Sequence, residues 1–249
     1  ALLRFPGLGP LGKLRYGLHA FASTRRRDWA PLDPLPADRW LRRWVGDEAY
    51  RTCWEPLLRL KFFEYADSLS AAWIWHRIKR LGTSRRSLRQ EQLGFIDGGS
   101  ETLIRALTAR IEALGGRLRL GTPVRRIAIE GDAVRAVVTA DGPEPVDAVI
   151  STVAIPYAVG MLGDLDPALV ERYRALANIG AVCVVHKLAR PLSRYFWVNI
   201  NDPRFEVPGL VEFSNLRDTG DDHVVYIPYY MPQGHPKFAW EDEHFVAET

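Results

Sequence analysis

The stretch from Gly94 to Thr152 constrains the fold most, because a helical period gives way there to a strand period. Gly98-Gly99 reads as a tight turn, Ser100 as the cap of a helix, and Glu101 as an acid suited to that helix's positive end. Leu103, Ile104, Leu107, Ile111 and Leu114 fall on one helical face, and Gly115-Gly116 ends the helix. Each of those side chains contributes about 1.5–3 kcal/mol when fully buried, so the face is expected to pack on something. Leu118 and Leu120 alternate with arginines, as in a half-buried strand. Residues 124–129 and 133–139 then form a hairpin across Glu130-Gly131-Asp132, and Asp141-Gly142 makes a further turn. Residues 146–150 (VDAVI) read as a short buried strand of an α/β sheet.

Upstream of this stretch the chain is helical and basic. Residues 1–90 carry 18 Lys and Arg against 8 Asp and Glu, while the remainder is net acidic. Either the two parts pack together or the basic part meets an anionic partner. Gly7, Gly9 and Gly12 match the dinucleotide fingerprint in spacing only. Pro10 removes an amide from the turn, and no acid-tipped second strand follows, so a loop leading into a helix is expected. Residues 13–23 form that helix, with Leu14, Leu18 and Phe21 on one side. This face is either core or, with Arg25-Arg26-Arg27 beside it, a peripheral membrane contact. Further helices are expected around Trp40, Leu41, Trp44 and Val45, from Asp47 with a break at Pro56, and over 68–81. In the last of these His76 points to solvent, opposite Ile74, Trp75, Ile78 and Leu81. Residues 83–92 read as a polar loop. Beyond Thr152, short helices over 157–162 and 167–177 precede strands at 180–188, 195–200, 209–213 and 223–228, joined by Asp-, Asn- and Gly-rich turns as in an antiparallel sheet.

The chemistry narrows by exclusion. The sequence has no Cys or His pair at metal-ligand spacing, no nucleophile elbow and no nucleic-acid motif. No apolar run approaches the ~20 residues that span a bilayer. Cys53 and Cys183 are far apart in the chain and are expected as two free, buried thiols of a reducing, cytoplasmic setting rather than as a bridge.

Several pieces in order resemble the flavin amine oxidase superfamily, which includes protoporphyrinogen oxidases and phytoene desaturase-like enzymes. They are 54–58 (WEPLL), 70–75 (SAAWIW), 94–100 (GFIDGGS), 114–116 (LGG), 122–124 (TPV) and 147–152 (DAVIST). The resemblance implies an α+β or α/β fold. Residues 1–93 are then a mainly helical part of the substrate domain, 94–155 part of the FAD-binding layer, and 156–249 substrate domain with an antiparallel sheet. It implies FAD as cofactor and a small-molecule substrate. Val124 is placed by it at the adenine, and Ser151 and Thr152 near the dinucleotide. Trp73, Trp75 and Tyr229 are candidates for the substrate pocket.

The family's glycine-rich pyrophosphate loop and its carboxy-terminal segment have no counterpart here, so an internal piece of a longer protein is expected. Many members carry a lysine near flavin N5 on the strand matching 180–188. Cys183 and Val184 occupy those interior positions, with Lys187 nearer the strand's end. A desaturase-like or protoporphyrinogen-oxidase-like hydride transfer therefore fits better than lysine-assisted amine oxidation. The alternatives are a non-catalytic module that binds an apolar ligand or a protein, and a flavin-dependent mutase.

Overall fold

The computed structural model describes residues 5–87, 90–92, 94–202 and 204–249. The chain divides into two compact units, one of residues 1–95 with 179–249 and one of residues 96–178. The boundaries expected from the sequence fall at 93/94 and 155/156, and those of the units at 95/96 and 178/179. The class is α+β, with helices beside separate antiparallel sheets.

In the larger unit five helices precede a sheet: α1 (Pro10–Arg25), α2 (Ala37–Val45), α3 (Asp47–Cys53), α4 (Glu55–Phe62) and α5 (Ala71–Thr83). Pro56 stands in the first turn of α4, where its missing N–H costs nothing, and the break between α3 and α4 follows from it. Ser70 caps α5 by accepting from the Ala72 amide. Leu41, Ala49, Leu58, Ala71 and Ile74 form the centre of the helical core, and His76 is exposed as expected.

α1 departs from expectation. Its inward positions are Gly12, His19 and Ser23, while Leu14, Leu18 and Phe21 face outward, so the core reading of that face is corrected. The reason is polar and steric. The Trp75 indole donates to Ser23 O, Lys79 Nζ to Arg26 O, and the Arg15 guanidinium to the carbonyls of Arg43 and Trp44. A Cβ at Gly82 would lie 2.4 Å from Thr24 Cγ2, so α5 meets α1 at very short range. These contacts fix the helix with its small, polar side inward. Residues 83–92, expected as a loop, include the end of α5 and a two-stranded ladder of β1 (Arg85–Ser87) and β2 (Gln90–Glu91). The middle of that segment, 88–89, lies outside the described residues.

The sheet contains β6 (Ile179–Leu188), β7 (Trp197–Asn199), β8 (Gly209–Glu212) and β9 (His223–Pro232) in the order β6-β9-β8-β7. It is antiparallel throughout, as the short polar connections imply. Residues directly opposite one another share a face. One face carries Val184, Val225, Ile227 and Tyr229 against Phe245 of the final helix α9 (Asp242–Glu248). The other carries Cys183, Val185, Tyr226, Pro228, Tyr230 and Trp197. Both cysteines are free thiols, but neither is buried as expected: Cys53 is half-buried and Cys183 exposed on the open sheet face.

The smaller unit begins with α6 (Ser100–Ala113). Its cap is Gly99, at φ +76°, not Ser100, whose side chain makes no capping bond; Thr102 Oγ1 donates instead to Asp97 O. The Gly116 amide closes the carboxyl end on Ile111 O, with Gly115 in the left-handed region. The expected hairpin is present as β3 (Arg126–Glu130) and β4 (Ala133–Thr139), and β5 (Gly142–Pro145) completes a meander. Two short helices follow, α7 (Ile155–Ala158) and α8 (Pro167–Arg174), the second capped by Asp166.

Two expected strands are absent. Residues 117–120 and 146–150 run as irregular chain, with Leu120 88% and Ile150 92% exposed. A strand needs a neighbour for its amides and carbonyls, and apart from the Val146 amide, which donates to Arg135 O of β4, neither segment pairs its backbone with a strand of this unit. The apolar face of α6 is left open for the same reason: Leu103, Ile104, Leu107, Ile111 and Leu114 are all exposed.

Candidate active site

A crevice in the larger unit collects the aromatic side chains that the sequence scatters. It is lined by Trp54, Leu57 and Lys61 from the α3–α4 region, Trp73 and Arg77 from α5, and Trp197, Pro208 and Tyr230 from the sheet region. Helix spacing puts Trp73 and Arg77 together, since they are four apart on α5. Strand pairing puts Trp197, Val211, Tyr226 and Val185 in one row across the sheet. Tyr230 lies on that same face, so the crevice opens along a sheet surface whose Cys183 and Val185 are exposed.

The crevice encloses only about 10 Å³, about the room of one water, so a larger ligand would lie along its open side. A neighbouring cavity of about 280 Å³ shares Tyr230 and is lined by Leu60, Phe63, Glu206, Tyr229, His235 and Lys237. Its charges are matched. Lys237 Nζ lies 2.7 Å from Glu206 and 2.9 Å from Glu248, and the Tyr229 hydroxyl donates to Glu248 Oε2 at 2.9 Å. Burial, then that bond to Glu248, drives the Tyr229 phenol well above its ordinary pKa, so it stays a neutral donor.

The crevice is different. Lys61 Nζ lies 4.6 Å from the Tyr230 ring centre and 5.5 Å from that of Trp73, and Arg77 Cζ lies 5.9 Å from the Trp73 centre. Burial pushes both pKa values down, and the neighbouring arginines add to it: Arg77 and Arg80 on Lys61, Arg80 on Arg77. Lys61 was not singled out by sequence reasoning, nor was Arg77. The four-residue spacing of Trp73 and Arg77 on one helix is the sequence signal that could have brought Arg77 in.

The expected site residues are distributed as follows. Trp73 lines the crevice and Tyr229 the cavity. Trp75 is buried in the helical core with its indole bonded to Ser23, and lines neither. Val184 faces the sheet's buried side, Cys183 its open side, and Lys187 is exposed and paired with Asp222 at 2.8 Å. Val124, Ser151 and Thr152 lie in the smaller unit on irregular chain. Backbone pairing begins just after Val124, where the Arg125 amide donates to Val138 O. The amide and carbonyl of Val124, and the amides and hydroxyls of Ser151 and Thr152, have no partner among the described residues. Their unused backbone donors and acceptors and exposed hydroxyls are of the chemical type that pairs with an adenine edge or a dinucleotide. No group of three or more His, Cys, Asp or Glu among the described residues is placed to hold a metal ion.

The model of the flavin containing amine oxidoreductase family matches residues 3–246. The chain belongs to that family. It is a flavoprotein family, in agreement with the expected FAD. Solved structures of similar fold include an oxidoreductase from Methanosarcina mazei, with TM-score 0.68 and 17% identity over 97% of this chain and 56% of that one. A putative protoporphyrinogen oxidase from Exiguobacterium sp. gives TM-score 0.64 and 20% identity over 98% and 55%. A putrescine oxidase bound to putrescine gives 0.61 and 17% over 98% and 57%. A reduced UDP-galactopyranose mutase gives 0.59 and 15% over 97% and 56%. The chain thus spans about half the length of the structures it matches. A comparison with curated protein sequences gives no match.

Proposed function

We propose that this chain carries the substrate-binding part, and part of the FAD site, of an FAD-dependent oxidoreductase that takes hydride from an apolar or cyclic organic substrate. The observation that carries the reading is the aromatic crevice opening along an exposed sheet face, in a chain of a flavin family. Trp54, Trp73, Trp197 and Tyr230 offer a flat apolar ligand stacking surfaces and exclude water from it. Val124 would hold the adenine edge through its backbone, and Ser151 and Thr152 the dinucleotide. Bound flavin supplies the hydride acceptor, so the chain's own side chains bind and orient rather than carry electrons. The lack of a strand-interior lysine in β6 favours a desaturase-like or protoporphyrinogen-oxidase-like reaction over amine oxidation.

The test is the visible spectrum of the protein expressed from its complete gene. Absorption bands near ~370 and ~450 nm, bleached when an organic donor is oxidised anaerobically, are expected. A protein that folds and retains no flavin would overturn the enzyme reading and favour a binding module. Flavin without net reduction of any electron acceptor during turnover would favour the mutase, a reaction named for one of the similar structures.

We also propose that α1 rests on an anionic membrane surface, with the protein at the inner, cytoplasmic face. Leu11, Leu14, Leu18 and Phe21 form one exposed stripe, Arg25 stacks on Phe21, and residues 10–27 contain five basic residues and no acid. Apolar insertion and basic flanks add, each Lys or Arg near the surface contributing about 1 kcal/mol. No described helix is long and apolar enough to cross a membrane. The protein is expected to sediment with phosphatidylcholine vesicles containing phosphatidylserine and not with phosphatidylcholine alone. Leu14→Glu with Leu18→Glu should weaken binding about tenfold or more. Equal sedimentation of both proteins would rule this out.

A further inference from the structure

We infer that the crevice recognises an anionic group, of the carboxylate class, on an apolar and flat substrate, with Lys61 and Arg77 as the residues that select it. This rests on reading the crevice as the substrate site and adds the charge of what enters it. Two other cations of the helical layer meet acids. Arg59, on the same helix as Lys61, lies 2.9 Å from Asp67, and Arg42 lies 2.6 Å from Asp47. Lys61 and Arg77 make no ion pair or hydrogen bond among the described residues. Both sit at the Trp73 ring, half-buried, and each is destabilised by its cationic neighbours. Two positive charges held together in an apolar crevice cost free energy unless an anion joins them.

The same arrangement excludes a protonated amine, which would be a further positive charge beside Lys61, Arg77 and Arg80. The matched charges of the next cavity make the contrast sharper, because there Lys237 already holds two carboxylates. A flat ring lying against Trp73 and Tyr230 would bring an attached carboxylate within reach of both an ammonium and a guanidinium. The second of these can bind it in a two-pronged way. The apolar body would then extend along the open sheet face past Trp197.

The experiment titrates the flavin-loaded protein with three probes of one shape: 2-naphthoate, 2-naphthalenemethanol and 2-naphthylmethylammonium. Tryptophan fluorescence and calorimetry read the binding. The anion is expected to bind about tenfold or more tightly than the neutral probe, and the cation most weakly. Lys61→Met and Arg77→Met should each weaken naphthoate about tenfold while leaving the alcohol within about twofold, and Lys61→Arg should restore most of the loss. The order of the three probes on the unaltered protein decides the matter even where a variant folds poorly. Equal binding of anion and neutral, or preference for the cation, would overturn the inference. A flavin-bearing protein that prefers the cation leaves the enzyme reading intact, and a flavin-free protein that prefers the anion overturns only the enzyme reading.

Discussion

Glu212→Ala should cost the protein about 3–5 kcal/mol of stability, read as a lower midpoint in urea or heat. Glu212 ends β8 and is 0% exposed. Its carboxylate accepts from the Leu192 amide at 2.9 Å, the Ser193 amide at 2.8 Å and the Ser193 hydroxyl at 2.9 Å. Bonds to a charged acceptor are worth about 1.5–3 kcal/mol each, and deleting the acceptor leaves two amides and a hydroxyl to find water in a closed place. Glu212→Gln keeps one acceptor oxygen and turns an NH₂ toward a donor, so it should fall between the two, at about 2 kcal/mol. The loop so held is the one that delivers Trp197 to the crevice. The Glu212 amide bonds Phe196 O, and Asn215 Nδ2 donates to Ser193 O and Tyr195 O. Naphthoate affinity should therefore drop with the stability in Glu212→Ala. A change below about 1 kcal/mol in both variants would show that water replaces the carboxylate and that the loop holds itself.

What was legible in the sequence is what adjacent residues decide among themselves. The β3–β4 turn needs only Gly131 at positive φ, and the α3–α4 break needs only Pro56. The strands of the larger sheet were legible from β-rich runs between turn residues, although β9 runs four residues beyond its expected end. Features set by distant neighbours were not legible. Residues 146–150 are mostly apolar and rich in β-branched side chains, yet only the Val146 amide finds a strand, at Arg135 O of β4, and the pairing stops there. The Leu14, Leu18, Phe21 stripe has the period of a core face, but Ser23 and Arg15 bond to other helices and turn it outward. The crevice joins α4, α5 and two strands, and Lys61 reads in the sequence as one basic residue among many. Only its packing on Trp73 and Tyr230 without an acid sets it apart from Arg59, two residues earlier on the helix.

His19 should make the helical layer acid-labile well above the pH at which its carboxylates titrate. The ring is 1% exposed, lies edge-on to Trp40 at 4.5 Å between centres and 5.4 Å from Trp44, and its Nε2 has no partner. Burial pushes its pKa down from 6.5 to about 4. A buried base of this kind is neutral in the folded chain, whereas the unfolded chain takes up the proton near pH 6.5. Between those two values the unfolded state binds more protons, so stability falls as pH falls from about 6.5 to about 4 and the loss is complete below that. At about 1.4 kcal/mol per pH unit the total is about 3 kcal/mol. Asp47 and Asp202 are both held below the ordinary carboxylate pKa by arginines, Asp202 at about 2, so their contributions are lost at lower pH than most of the histidine's. His19→Phe keeps a ring between the two tryptophans and removes the proton site. It should lie within about 1 kcal/mol of the parent at pH 7 and exceed it by about 2 kcal/mol near pH 4.5, in urea midpoints measured across that range. Parallel pH profiles for the two proteins would mean that water reaches Nε2 and that α1 is held by Arg15, Ser23 and Lys79 alone. A flattened acid limb in the variant would mean that protonating one ring loosens the contact of α1 with α2, and with it the helix that presents Leu14, Leu18 and Phe21 to solvent.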